Sequence, residues 1–237
     1  MGKVGRALPT PVADGLSTDA RFGRYGESLN IPLLTPLHGV SDEGSYYVLA
    51  NPTPGTGIAT LAAVTAWVAT SPFILVKNND VAGGRRVYFH YIKLICTNAG
   101  TGGASLHYDV YVDSTNRYTS GTGLATTSPV NVNMDSSNSS VTQCYAGPLV
   151  ATAASASVRR LGGGVFKIGI PVVGDSYTLY FGCDSVAVGS AVATINNVAF
   201  NHPPVIIGPQ SCMLFYIWLP SQSGATSYEI EMGMWER

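Results

Sequence analysis

Short runs of strand-forming residues, separated by turn-forming clusters, follow one another along the chain after residue 40. The runs are rich in Val, Ile, Tyr, Phe and Thr, and clusters such as NAGTGG, TSGTG and LGGG lie between them. β-Branched and aromatic residues favour strands, whereas Gly, Asn and Ser favour turns. The predicted strands are Ser45–Asn51, Phe73–Lys77, Arg85–Thr97, Ala104–Asp113, Val130–Met134, Val141–Gly147, Phe166–Ile170, Ser176–Gly182, Cys212–Pro220 and Ser227–Trp235. This pattern predicts an all-β fold, a jelly-roll-like antiparallel β-sandwich formed by residues 41–237.

The predicted strand Arg85–Thr97 is apolar on both faces. Strict alternation puts Val87, Phe89, Tyr91 and Ile95 on one side, and Tyr88, His90, Ile92, Leu94 and Cys96 on the other. A half-solvated antiparallel strand is polar on one face. We therefore expect one face to pack in the sandwich core and the other against a second sheet, a loop or a neighbouring chain.

The last predicted strand has a simpler pattern. Alternation along Ser227–Trp235 turns Tyr228, Ile230, Met232 and Met234 inward. The same alternation turns Glu229 and Glu231 outward.

Residues 1–40 differ from the rest of the chain and are predicted to form an extended N-terminal arm. Four prolines interrupt this segment, which has no helical or strand period. Ordering such a segment costs about 1–2 kcal/mol per residue, and it has no core of its own to offset that cost. We expect its apolar side chains to contact a neighbouring subunit or a capsid: Leu8, Val12, Phe22, Tyr25, Ile31 and Leu33.

Charge argues against nucleic acid and membranes as partners. Charged residues make up 11% of the chain and the net charge is −1, so no overall field attracts phosphates. The first 30 residues carry four basic and three acidic side chains, a net charge of +1.

The uncharged stretch from Ile58 to Val76 is diluted by Thr, Ser and Pro. It is predicted to be a short buried helix or strand, Ala59–Ala69, followed by a turn and the strand at Phe73, and not a membrane span.

The four cysteines are widely spaced, and none forms a Cys-x-x-Cys pair. Cys96, Cys144, Cys183 and Cys212 are predicted to be reduced thiols rather than a disulfide framework.

No motif predicts an enzyme or a cofactor. Gly174-Asp175-Ser176 is similar to the start of one esterase motif, but Ala199 stands three residues before His202, where that motif requires Asp. We predict a turn that the Asp175 side chain caps, and no catalytic residue.

No metal site is predicted either. The four histidines are far apart, and His107 and Asp109, on one face of the predicted strand Ala104–Asp113, are expected to form a polar pair with a neighbouring strand. A calcium site built from Asp113, Asn116, Asp135 and Asn138 stays open, although no EF-hand spacing occurs.

Several phrases together resemble the structural head proteins of short-tailed bacteriophages, in particular capsid decoration (cement) proteins. They are LANPTPGTGIAT (49–60), TNAGTGGASLHYDVYVDSTNRYTSGTG (97–123), NVNM (131–134) and IPVVGDSYTLYFG (170–182). The resemblance implies a protein made in the host cytoplasm that binds the outside of a phage head. It also implies the major capsid protein and further copies of the chain as partners, with a trimer favoured.

Residue patterns agree with a non-enzymatic virion protein. The near-neutral arm is unlike the basic arm of a small RNA virus shell protein, and no long spine helix of a tailed-phage major capsid protein is predicted. A tail-fibre or receptor-binding module that recognises carbohydrate is the alternative, because the chain has 13 Tyr and 3 Trp. Most of these aromatics lie in predicted strands, where core or interface packing is expected.

Overall fold

The computed structural model describes residues 36–61, 65–122, 124–182 and 197–237. These residues form α1 (Pro36–Asp42), β1 (Tyr46–Ala50), β2 (Ile58–Ala59), β3 (Ile74–Asn78), β4 (Val87–Asn98), β5 (Thr101–Gly102), β6 (Ser105–Asp113), β7 (Tyr118–Gly121), β8 (Leu124–Thr127), β9 (Val130–Asn131), β10 (Thr142–Ala146), β11 (Leu149–Ala151), β12 (Arg159–Ile168), β13 (Ser176–Phe181), β14 (Asn197–His202), β15 (Ile206–Ile207), β16 (Cys212–Trp218), β17 (Gln222–Gly224) and β18 (Ser227–Glu236).

Eight of these strands have the order of a jelly roll. In sheet 1, β1, β18, β4 and β13 are neighbours in that order, and in sheet 2 the order is β3, β16, β6, β12. Every one of these pairings is antiparallel. Followed along the chain, β1, β3, β4, β6, β12, β13, β16 and β18 alternate between the sheets except at β6–β12, where both strands belong to sheet 2. The prediction of an all-β, jelly-roll-like sandwich is confirmed.

Additional strands widen both sheets. Sheet 1 continues past β1 to β9 and past β13 to β14, and β2 and β15 pair with β18 and β4. Sheet 2 continues past β3 to β10 and β8. The segment from β7 to β11 is an insertion between β6 and β12, and two of its strands pair as a separate ribbon.

The main core lies between the two sheets. Its members alternate along β6, β13, β16 and β18, as residues of period two do. On β18, Tyr228, Ile230, Met232 and Met234 are all buried, so the inward face predicted from alternation is confirmed. Cys96, Cys144 and Cys212 are buried free thiols, as predicted, and Cys183 lies outside the described residues.

A second hydrophobic cluster covers the outer face of sheet 2. The chain itself supplies this cover, through the β7–β11 ribbon and the segment around Trp67, whose ring stacks on Tyr111 with centroids 5.5 Å apart. The buried members are Leu75, Tyr145, Leu149, Ala151, Cys212, Leu214 and Tyr216. Because both faces of β3 and β16 are covered, these strands are almost continuously buried.

Arg117 fastens this cover to the sheet. Its side chain is 1% exposed. The guanidinium donates to Thr152 O at 2.7 and 3.0 Å and to Ala69 O at 2.8 Å, and it lies 3.8 Å from Asp113 Oδ2. Burial opposes ionisation of Asp113, but hydrogen bonds from Ser155 and Thr115 outweigh it and lower the pKa of that carboxyl. The ionised carboxylate and the buried cation therefore neutralise each other.

Three local predictions are wrong. Residues 161–164, predicted as a turn, lie inside β12, because the glycines pair with β6 and the extra residues form bulges. Of the predicted helix or strand Ala59–Ala69, Ala59 ends β2, and the described residues 60–61 and 65–69 form no regular element. The strand predicted at Val130–Met134 ends at Asn131.

The predicted arm lies mostly outside the described residues. From Pro36 the chain forms the short helix α1, which contacts β1. The division into an arm at residues 1–40 and a sandwich at 41–237 stays a prediction.

Candidate functional site

A β-bulge in β4 explains why that strand looked apolar on both faces. Opposite β4, consecutive residues Gly233 and Met234 of β18 pair with Tyr91 and Phe89, so His90 is an extra residue. The bulge reverses the alternation at this point. The core contains Val87 and Phe89, which precede the bulge, and Ile92, Leu94 and Cys96, which follow it.

This arrangement corrects part of the prediction from alternation. Tyr91 and Ile95 do not share the inward face of Phe89, and Ile92, Leu94 and Cys96 do not share the face of Tyr88. Phe89 is 2% exposed and Tyr88 is partly buried. One face of β4 packs in the core, as predicted. The other belongs to the outer surface of sheet 1.

Two rows of apolar and aromatic residues cross that outer surface. Each row is made of directly paired residues, whose side chains project from the same side of a sheet. Pairing places Tyr46, Trp235, Tyr88 and Ile206 side by side across β1, β18, β4 and β15. Val132 extends this row, since its N–H donates to Tyr46 O at 3.2 Å. The second row contains Val130, Val48, Gly233, Tyr91 and Tyr180. These ten residues, together with His90, are called the aromatic face below.

Gly233 allows the rings at the centre of the aromatic face to close over β18. A Cβ at this position would lie 2.3 Å from Tyr46 Oη and 2.4 Å from a ring carbon of Tyr91. The absence of a side chain therefore leaves the space that the two rings occupy. Beside them, Tyr88 and Trp235 stack with an interplanar angle of 3° and centroids 5.5 Å apart.

His90 links the rings of the aromatic face. Its Nδ1 lies 2.8 Å from Tyr46 Oη, and its ring makes an edge contact with Tyr91 at 5.3 Å. Burial lowers the pKa of His90, which favours the neutral imidazole. Burial, with the nearby Glu231 carboxylate, raises the pKa of Tyr46 to about 12.

The Glu231 carboxylate contacts two polar groups near the centre of the aromatic face. Tyr91 Oη donates to Glu231, and Lys93 Nζ lies 3.8 Å from the other oxygen of that carboxylate. Burial and this hydrogen bond raise the pKa of Tyr91. The Tyr91 hydroxyl and the Lys93 ammonium group are thus both paired with the Glu231 carboxylate.

The ends of both rows are exposed to solvent. Val130, Val132 and Ile206 are 66%, 40% and 51% exposed, and Tyr88, Tyr91, Tyr180 and Trp235 are partly exposed. Within the part of the chain that the structure describes, sheet 1 has no counterpart of the cover on sheet 2. A surface of this kind can bind an apolar partner by burying side chains that are already ordered.

Sequence reasoning placed the candidate contacts elsewhere. Leu8, Val12, Phe22, Tyr25, Ile31 and Leu33 lie outside the described residues, so their role stays a prediction. The aromatic face itself was missed. Alternation along Ser227–Trp235 does turn Trp235 outward with the two glutamates, and this was the available signal.

The Gly-Asp-Ser sequence forms a structural turn. The Asp175 carboxylate accepts from Val172 N and from Lys167 Nζ, both at 2.7 Å, and from Tyr177 Oη at 2.9 Å. Asp175 therefore caps the turn before β13, as predicted. Ser176 enters the ladder opposite Ile95 of β4.

His107, Asp109 and Asp113 of β6 are held by other side chains. His107 stacks on Trp218 with centroids 5.3 Å apart, while Asp109 accepts from Arg160 Nε. Asp109 with Arg160 is therefore the expected polar pair between neighbouring strands, and the partner of His107 is an aromatic ring. Among the described residues, no three His, Cys, Asp or Glu side chains are grouped to hold a metal ion, and Asp113 is engaged by Arg117 and Ser155.

No helix among the described residues has the length and apolarity to cross a membrane.

The chain matches no protein-family model, and no curated protein matches it. Among solved structures, the unassembled VP1 pentamer of KI polyomavirus matches with 10% identity over 81% of this chain and 91% of that chain. The TM-score is 0.25, and a value this low carries no argument about fold or function. The jelly roll is established by the strand order alone.

Proposed function

We propose that this chain is a non-enzymatic structural protein of a virion, and more specifically a decoration protein that binds the outside of a phage head and stabilises its lattice. The observation that carries this proposal is the aromatic face of sheet 1. Soluble monomers rarely expose wide contiguous apolar surfaces, and such surfaces mark interaction sites. Tyr and Trp are also the residues that most often anchor protein interfaces.

The composition of the chain supports a lattice role. Only 11% of the residues are charged, and at the centre of the aromatic face Lys93 is paired with Glu231. Paired charges and tyrosine rings suit a protein partner better than nucleic acid, which requires unpaired cations. The resemblance of residues 49–182 to phage decoration proteins points in the same direction and suggests the major capsid protein and further copies of the chain as partners, with a trimer favoured.

Carbohydrate recognition is the second candidate, and the outward rings of Trp235 and Tyr88 favour it. Sugar sites combine an open ring face with free hydrogen-bonding groups. Here the two rings stack on each other, and the nearby Glu231 already accepts from Tyr91. The aromatic face is therefore better suited to an apolar protein segment than to a sugar.

The test is addition of the purified full chain to phage heads that lack it. The proposal predicts saturable binding, ordered density on the outside of the heads in electron micrographs, and a higher temperature of DNA release. A screen of the same protein against immobilised glycans separates the two candidates. Glycan binding without head binding would favour the receptor-binding function.

A further inference from the structure

The two sheets differ in what covers their outer faces. The chain covers sheet 2 with the β7–β11 ribbon and the Trp67 segment, fastened by Arg117. Sheet 1 has the same kind of apolar outer surface, but no described residue lies over its two rows. Residues that could do so must come from outside the described part of the chain or from another molecule.

The described chain begins beside the aromatic face. Helix α1 starts at Pro36 and leads directly into β1, which carries Tyr46 and Val48. Asn133 Nδ2 donates to Asp42 O at 3.0 Å, which fixes the end of α1 next to Val130 and Val132. The C-terminal end of α1 therefore lies at the β9 edge of sheet 1, and Pro36 is one short helix away from it.

The length and sequence of that segment fit the aromatic face. From Val132 to Ile206 the first row crosses five strands, or about 19 Å at ordinary strand spacing. A segment of 35 residues can extend over about 115 Å. It carries Phe22, Tyr25, Ile31 and Leu33, whose burial would offset part of the cost of ordering it.

We infer that residues 1–35 of one copy bind across the aromatic face of a second copy. This inference rests on the proposed function, which places copies side by side on a head. Exchange of the same segment between neighbouring copies around a rotation axis closes a symmetric oligomer, and each copy then buries both its own segment and its own face. Sheet 1 would then be covered by a neighbour in the way that sheet 2 is covered by its own chain.

Cross-linking tests which copy supplies the segment. The chain has only four lysines, of which Lys93 lies on sheet 1 and Lys77 on sheet 2. A full-length Asn30→Lys variant adds an amine to the segment. Equal amounts of ¹⁴N- and ¹⁵N-labelled protein are mixed, dissociated and reassociated, and then treated with a short amine-reactive reagent. We expect cross-links of mixed isotope composition between position 30 and Lys93, in excess of those to Lys77.

Substitutions on the two binding partners complete the test. Val130→Asp with Ile206→Asp changes exposed ends of the rows, and Ile31→Asp with Leu33→Asp changes the segment. Each pair should weaken self-association by at least about tenfold in light scattering. Val81→Asp is the matched control, because Val81 is 71% exposed in the turn between β3 and β4 and belongs to neither row, and it should have no effect.

Three results would overturn the inference. They are cross-links to Lys93 only within one chain, a monomeric protein with no mixed-isotope products, and self-association that the face substitutions leave unchanged. Because these measurements need no phage head, their failure leaves the head-binding test of the proposed function intact. Conversely, an oligomer that forms as expected but does not bind phage heads would contradict only the proposed function.

Discussion

Replacing Arg117 by Leu should loosen the cover of sheet 2 and destabilise the whole domain. The guanidinium is 1% exposed and makes three donor contacts, two of them to Thr152 O. Ala69 O keeps a donor in Tyr216 Oη at 2.8 Å, but Thr152 O loses both. Asp113 loses the buried cation beside it. Removal of one partner from a buried ion pair costs about 3–5 kcal/mol.

Urea denaturation measures this loss. With an unchanged slope of unfolding free energy against urea, the midpoint should fall in proportion to the 3–5 kcal/mol lost, and the melting temperature should drop by roughly 10 °C for a domain of this size. Amide exchange should rise first in β7 and β11. Arg117→Lys is the matched control. It retains the charge but not the planar fork, so its loss should be smaller, about 1–2 kcal/mol.

A double variant checks the reasoning. Asp113→Asn in the Arg117→Leu background removes the uncompensated charge and should recover part of the stability. A loss below about 1 kcal/mol for Arg117→Leu, or uniform exchange across both sheets, would refute the view that this side chain fastens the cover.

Three further outcomes are expected. Gly233→Ala should cost about 1–3 kcal/mol and change Trp235 fluorescence, since the new methyl group displaces the rings of Tyr46 and Tyr91; an unchanged emission spectrum and melting point would contradict this. Burial lowers the pKa of His202 below its ordinary 6.5, so the unfolded chain takes up the proton first and stability should fall as the pH drops through about 6.5; His202→Gln should fold with a weaker dependence on pH between 7.5 and 5.5, and an equal dependence would count against it. Ser176→Ala should leave stability within about 0.5 kcal/mol and head binding intact, and labelling of Ser176 by a serine-reactive probe would overturn the structural role of the turn.

The sequence predicts elements better than it predicts faces. The alternation of β18 places its core residues correctly, because no bulge interrupts the run from Tyr228 to Gly233. In β4 one extra residue, His90, turns the residues that follow it to the opposite face of the sheet. No turn-forming residue in that stretch indicates the bulge in advance. Periodicity alone therefore mixed core residues such as Ile92 with surface residues such as Tyr88.

The outer layers depend on contacts between distant segments. Arg117 reaches Ala69 and Thr152, and nothing in the local sequence around any of these residues indicates that they meet. The glycines in β12 resemble a turn by composition, but pairing with β6 and two bulges accommodate them in a strand. The aromatic face likewise arises from β1, β4 and β18, which lie far apart in sequence.

The central claim is that the aromatic face lets the chain function as a lattice protein on a phage head. Its most direct test is the occupancy of purified heads by the full chain and by Val130→Asp with Ile206→Asp, measured by electron microscopy at increasing protein concentration. The account predicts saturation at symmetric positions for the full chain and at least about tenfold weaker binding for the variant, with Val81→Asp unchanged. Heads that stay bare at saturating protein, or equal occupancy by the face variant, would contradict it.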